Sequence, residues 1–118
     1  MENVLQRLMA IEGVTGALLV GTDGVVRAST LSREEEELLG AMAAAAFDAA
    51  NRYIAQLGAG SARFALFETS AGTVQVAAVA DALIVARTNH AAALGRVRLE
   101  LLRASGGSGG QVRRGAGR

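Results

Sequence analysis

Residues 14–29 decide the fold, and their sequence is VTGALLVGTDGVVRAS. Residues 14–20 are nearly all apolar, a GTDG turn follows at 21–24, and 25–29 is again β-prone. Two such runs around a short turn with Asp and Gly predict an antiparallel β-hairpin. Because the first run is apolar at successive positions, both faces of its strand should be covered. We therefore expect a central strand between two layers of helix.

Helices are predicted on both sides of this hairpin. Apolar residues at helical spacing in 2–11, followed by Gly13, predict a short amphipathic helix. After the hairpin, Ser32 and Glu35 form a capping box, and the alanine-rich stretch beyond them favours a helix. This helix should end at Leu57 because glycines follow it, which gives it a length of about 25 residues.

The second half of the chain contains three more β-prone runs, at 62–68, 73–79 and 83–87. The connections between them are too short for anything but antiparallel hairpins. Asn89 can cap a final helix over 91–103. The predicted order is α-β-β-α-β-β-β-α, in a single α/β domain of the α+β type.

Length and composition place the domain boundary near the end of the chain. A chain of 118 residues suits one domain, which we assign to 1–104. Residues 105–118 hold six glycines and three arginines with few apolar side chains. Such a segment buries too little surface to offset the entropy of ordering, so we expect a disordered tail.

The residue inventory argues against an enzyme. The chain has one histidine, His90, and neither cysteine nor lysine, which excludes thiolate chemistry, Cys-based zinc sites and the P-loop. The acidic run 34–37 could supply ligands to a hard cation, but it is explained more simply as a helix start that the helix dipole stabilises. We expect no catalytic residue, no cofactor and no metal site.

The charge distribution and hydropathy also limit the partners. Residues 1–104 contain nine arginines and eleven acidic residues, a net charge of −2, whereas a nucleic-acid binder usually carries a basic stripe. No apolar run approaches the roughly 20 residues that span a bilayer, and no signal peptide is evident. We expect no nucleic acid partner, no integral membrane segment and a cytoplasmic location.

The long helix has two contrasting halves at 100° per residue. The larger apolar side chains define a predicted core face, which comprises Leu38, Leu39, Met42, Phe47, Tyr53, Ile54 and Leu57. The opposite half is a strip of small residues with polar ones at its margin, which comprises Gly40, Ala41, Ala44, Asp48, Asn51, Arg52 and Ala55. Small residues let another helix approach closely, so this strip either receives a partner or is a plain solvent face.

The strand predicted at 62–68 is apolar on both faces. Arg63, Ala65 and Phe67 alternate with Phe64 and Leu66, although this strand is the first of its meander. If the strand lies at an edge of the sheet, its open side favours pairing with another strand. Arg63, Ala65 and Phe67 therefore join the strip as candidate interface residues.

Four segments, in this order, resemble one known family: IEGVTGALLV at 11–20, DG at 23–24, DALIV at 81–85 and LGRVR at 94–98. The chain resembles the roadblock/light-chain-7 domains, and among them the bacterial type that includes MglB. The resemblance covers 2–103 with the same order of elements. One departure is Ala82, where such domains often have a glycine.

This resemblance implies a five-stranded antiparallel sheet with the long helix on one face and the two terminal helices on the other. It implies a homodimer in which the third strands pair and the long helices pack, which would cover both the edge and the strip. The bacterial type is implied to bind a small Ras-like GTPase and to modulate its nucleotide cycle. Other members are implied to be structural dimerisation modules that dock larger partners, and the sequence leaves both functions open.

Overall fold

The computed structural model describes residues 2–105, which form three helices and five strands. The elements are α1 (Glu2–Met9), β1 (Val14–Gly21), β2 (Val26–Ser29), α2 (Arg33–Gln56), β3 (Phe64–Thr69), β4 (Gly72–Val79), β5 (Ala82–Thr88) and α3 (Leu94–Ala104). The predicted order of elements is confirmed. Of the predicted tail 105–118, all but Ser105 lies outside the described residues.

The five strands form one antiparallel sheet in the order β2-β1-β5-β4-β3. Strand β1 pairs with β5 along almost its whole length, with Leu18 opposite Val85 and Leu19 opposite Ile84. Except for Thr15, every residue of β1 is buried, which confirms that this strand is central. Strand β3 lies at one edge of the sheet and pairs with β4 alone.

Helices cover both faces of the sheet. On one face, Leu8 of α1 and Val97 and Leu101 of α3 pack with Leu19 and Ile84. On the other face, α2 packs on a cluster of buried aliphatic side chains from the strands, which comprises Leu18, Val20, Val76, Leu83 and Val85. The predicted sheet between one long helix and two terminal helices is therefore confirmed. No helix within 2–105 is long and apolar enough to cross a membrane.

The start of the last helix differs from the prediction. Helix α3 begins at Leu94, and the residue before it, Ala93, makes no side-chain capping hydrogen bond. The side chain of Asn89 instead accepts a hydrogen bond from the Ala91 N–H at 2.9 Å. A short polar side chain that bonds to the backbone two residues onward stabilises a turn. Asn89 therefore shapes the connection between β5 and α3 and does not cap the helix.

Helix α2 lies very close to the sheet at Gly40. A Cβ atom built on this glycine would lie 2.8 Å from Cγ2 of Val26 and 3.3 Å from Cγ2 of Val20. Van der Waals contact between carbon atoms is optimal at about 3.5 to 4.0 Å, so a side chain at this position would push the helix away from the strands. The absence of a side chain at Gly40 thus sets the distance between α2 and the strands β1 and β2.

We predict that Gly40→Leu lowers the free energy of unfolding by about 1 to 3 kcal/mol, because it overpacks the contact between α2 and the sheet. Gly95→Leu is the matched control, since Gly95 lies in α3 with no neighbouring atom within 4 Å of an added Cβ. Both changes gain helix propensity, so only the control should leave stability unchanged or raise it. Urea unfolding measures both, and equal effects would contradict the close contact at Gly40.

Candidate protein-interaction surface

Helix α2 presents a different face to the sheet from the one predicted. Its buried residues are Gly40, Ala43 and Phe47. Four bulky residues assigned to the core face are instead largely exposed: Leu38 at 65%, Met42 at 60%, Tyr53 at 68% and Leu57 at 62%. This part of the face assignment was wrong. The strands beneath carry bulky Leu and Val side chains, so the closest packing places the small residues of the helix against them.

The predicted strip of small residues is accordingly divided. Gly40 is buried, Ala44 is half-buried against the core, and Asn51 is half-buried. The prediction that these three residues face away from the core was wrong. The other four residues of the strip are exposed, and they are Ala41, Asp48, Arg52 and Ala55.

Two polar residues of the strip have defined partners. The side-chain oxygen of Asn51 accepts a hydrogen bond from the Ala62 N–H at 2.6 Å, which ties α2 to the segment that leads into β3. Arg52 forms an exposed ion pair with Asp48, one turn earlier in the helix, at 2.8 Å. Asn51 therefore has a role inside the protomer, whereas Asp48 and Arg52 form a charged pair on the surface.

The side chains of β3 alternate between the two faces of the sheet. Ala65 and Phe67 lie on the α2 face, opposite Val76 and Val74 of β4, and Phe67 is 44% exposed. Leu66 lies on the face that carries α3 and is 42% exposed. Apolar surface therefore remains uncovered on both sides of this edge strand.

The backbone of β3 is also open on its outer side. The Arg63 carbonyl accepts a hydrogen bond from the Ala78 N–H at 3.0 Å, which marks these residues as a hydrogen-bonded pair. Such pairs alternate along an antiparallel ladder, so the next residue of β3, and every second residue after it, directs its backbone outward. Phe64, Leu66 and Glu68 therefore offer N–H and C=O groups at the edge of the sheet.

One flank of α2 overlooks the half of the sheet that contains this edge. Glu35 near the start of α2 reaches Arg87 of β5 at 3.5 Å. At 100° per residue, Met42, Ala46 and Tyr53 lie within about 20° of Glu35 around the helix, so they share its side. Because α2 packs on β1, β2 and β5, this flank borders the uncovered part of β4 and β3. We call Met42, Ala46, Tyr53, Phe67 and the open β3 edge the α2–β3 surface.

The titratable residues within 2–105 form separate contacts, which serve to join loops and strands. Nε2 of His90 donates a hydrogen bond to the Ser70 carbonyl at 2.8 Å, which joins two loops and holds the proton on that nitrogen. No group of three or more His, Cys, Asp or Glu side chains in this range could hold a metal ion. Hydrogen bonds from the exposed Arg27 lower the pKa of Asp81, and Asp81 raises the pKa of Arg27. Both side chains therefore stay charged. Their ion pair links β2 to the β4–β5 turn.

Residues 1–88 match the family model of the Roadblock/LC7 domain. This chain belongs to the Roadblock/LC7 family. Domains of this family are non-catalytic regulatory or adaptor modules, and the order of helices and strands in this chain is that of the roadblock fold.

Other proteins are similar to this chain in sequence or in structure. The uncharacterized protein MJ0310 of Methanocaldococcus jannaschii is 36% identical over 105 residues, which cover 88% of this chain and 92% of that protein. The Roadblock/LC7 domain from Streptomyces avermitilis superposes with a TM-score of 0.83 at 15% identity, over 91% of this chain and 92% of that one. Myxococcus xanthus MglB superposes with a TM-score of 0.79 at 20% identity, over 87% and 86%. These structures share the fold of this chain.

We predict that Asn51→Ala lowers the free energy of unfolding by about 1 kcal/mol, because the Ala62 N–H loses its acceptor. Asn51→Asp retains an acceptor oxygen at the same position and should cost less. Hydrogen exchange at the amides of β3 should accelerate in the alanine variant alone. Equal losses in both variants, with unchanged exchange in β3, would show that the bond between Asn51 and Ala62 does not hold this strand.

Proposed function

We propose that this roadblock domain is a cytoplasmic, non-enzymatic homodimer that binds a small Ras-like GTPase and modulates its nucleotide cycle. The observation that carries the proposal is the α2–β3 surface, on which an open strand edge lies beside an exposed apolar helix flank. The absence of cysteine fits a reducing compartment. Support for the GTPase comes from the fold shared with MglB.

A two-fold axis beside β3 accounts for both parts of this surface. Two copies of β3 paired antiparallel form a continuous sheet, and the outward backbone groups of Phe64, Leu66 and Glu68 then gain partners. The same axis brings the two α2 flanks together, so that Met42 and Tyr53 lose their exposure to water. Arg63, Ala65 and Phe67 belong to this interface because they occupy the α2 face of the paired strands.

The other flank of α2 is available to the GTPase. Ala41, Asp48, Arg52 and Ala55 are exposed, and they lie on the side of the helix away from Tyr53. A partner can change GTP hydrolysis by repositioning a switch loop, without donating a catalytic group. Arg52 suits a binding role because it is held by Asp48 and lies within a regular helix, from which its reach into a neighbouring active site is short.

We predict that light scattering at micromolar concentration gives a molar mass twice that of the 12.0 kDa chain. Tyr53→Glu should shift it toward the monomer, because two carboxylates would then meet at the two-fold axis. Ala55→Glu introduces the same charge two residues away on the opposite flank and should leave the dimer intact. Both positions are exposed in the protomer, so circular dichroism should show an unchanged fold. A monomeric wild-type chain, or equal effects of the two variants, would refute the interface.

The second prediction concerns the GTPase. The test mixes this protein with each small GTPase encoded in the same genome. We expect one of these GTPases to bind, and we expect its rate of GTP hydrolysis or of nucleotide release to change. Arg52→Ala should weaken binding and leave the maximal rate nearly unchanged, whereas loss of an arginine finger would lower that rate by about 10³ to 10⁵. Arg33→Ala is the control on the same helix.

Titration of the GTPase to saturation separates these results. Binding without a change in either rate would support the adaptor function and contradict the regulator function. A fall of several orders of magnitude in the saturated rate for Arg52→Ala would give this residue a catalytic role. The absence of binding to every GTPase tested would end the proposal.

A further inference from the structure

The outward side of α3 combines leucines with arginines. At 100° per residue, the exposed positions occupy an arc of about 160° in the order Arg98, Leu102, Gly95, Leu99, Arg103 and Arg96. Leu99 is 47% exposed and Leu102 is 36% exposed, although Val97 and Leu101 of the same helix are fully buried. Two leucines are therefore held in solvent with arginines on both sides of them.

This arc contains no acidic side chain. The single acid of α3, Glu100, lies on the side that faces α1, and its side chain is only 15% exposed. Its two oxygens contact Arg7 at 3.1 Å and Arg103 at 3.6 Å. Glu100 is thus paired on the α1 side of the helix, and the charges within the arc are all positive.

Leu66 extends the same surface onto the sheet. The guanidinium of Arg98 lies over the ring of Phe64, 4.7 Å from its centre, which shows that this side of α3 faces β3. Leu66 follows two residues later on the same face of β3 and is 42% exposed. The exposed Glu68 follows Leu66 on that face, so the positive charge of this surface lies on α3 alone. Because α3 packs above β4 and β3 lies beyond it at the edge, helix and strand form a recessed corner. We call the six exposed positions of the α3 arc, together with Leu66, the α3–β3 corner.

We propose that the α3–β3 corner is a second docking surface, which binds an acidic amphipathic helix of a protein partner. The apolar side of such a helix covers Leu66, Leu99 and Leu102. Carboxylates on its two margins pair with the arginines on either side of the leucines. An anionic bilayer has the same charge, but a planar surface would contact the arc of α3 without reaching Leu66 in the recess, so the corner fits a helix better.

The corner lies on the face of the sheet opposite to α2. It therefore lies apart from the flank of α2 proposed for the GTPase. The proposed dimer shares only strand β3 with the corner, because its α2 flanks meet on the opposite face of the sheet. A domain with this arrangement holds one partner on each face, and the two binding events can be measured separately.

The test uses two labelled peptides of about 18 residues with leucines at helical spacing, one with glutamates beside the leucines and one with arginines. Fluorescence anisotropy with the full chain should show micromolar binding of the acidic peptide alone, weakened by salt. Leu99→Ser with Leu102→Ser should reduce the affinity about tenfold or more, and Arg96→Glu with Arg103→Glu should do the same. Val25→Ser and Arg33→Glu, exposed positions elsewhere, are the matched controls and should leave it unchanged.

Leu66→Ser distinguishes a helix in the corner from a flat surface on α3. This substitution should lower the affinity for the acidic peptide. Vesicles of phosphatidylcholine with phosphatidylserine should not bind the chain. Vesicle binding without peptide binding would replace the protein partner by a membrane and overturn the proposal. Equal binding of both peptides, or binding that the corner variants leave unchanged, would overturn it as well.

Discussion

The close approach of α2 to β1 and β2 determines most of the outer surface of this protein. Gly40 and Ala43 allow the helix backbone to lie directly on Val20 and Val26, and this contact fixes the rotation of α2 about its own axis. Once the small residues face the sheet, Met42 and Tyr53 must point elsewhere. The exposed apolar flank is thus a consequence of how tightly the helix packs, and the candidate dimer interface depends on the same contact.

The sequence allowed the framework to be predicted because its signals are local or depend on a simple period. Successive apolar residues at 14–20 mark a strand covered on both faces, Ser32 caps α2, and Gly58 at φ 64° follows its end. Hydrogen bonds within a few residues decide the two ends of α2. The burial of β1 depends on distant elements, but the unbroken apolar run indicates it without knowledge of them.

The faces of α2 depend on the shape of the surface that the helix meets, and this explains the error there. A helical wheel assigns the bulkiest apolar side chains to the core, and it assigned Met42 and Tyr53 in this way. The sheet already supplies bulky side chains, so the available space selected Ala43 and Gly40 instead. Phe67 and the open strand were recognised because strand alternation needs no knowledge of the opposing surface. The polar contact of Asn51 with Ala62 depends on the return of the chain after α2, for which the sequence carries no period.

The pairing of β1 with β5 determines when the domain can fold during its synthesis. Val14 pairs with Thr88, so the two central strands come from opposite ends of the domain. On the ribosome, the first hairpin and α2 emerge long before β5 can join them, and they have no complete sheet to cover. Contacts between such distant segments form slowly because a long loop must close first. The nascent chain therefore remains without its core until almost the whole domain has been synthesised, and a shortened product that lacks β5 has no central strand pair around which to fold.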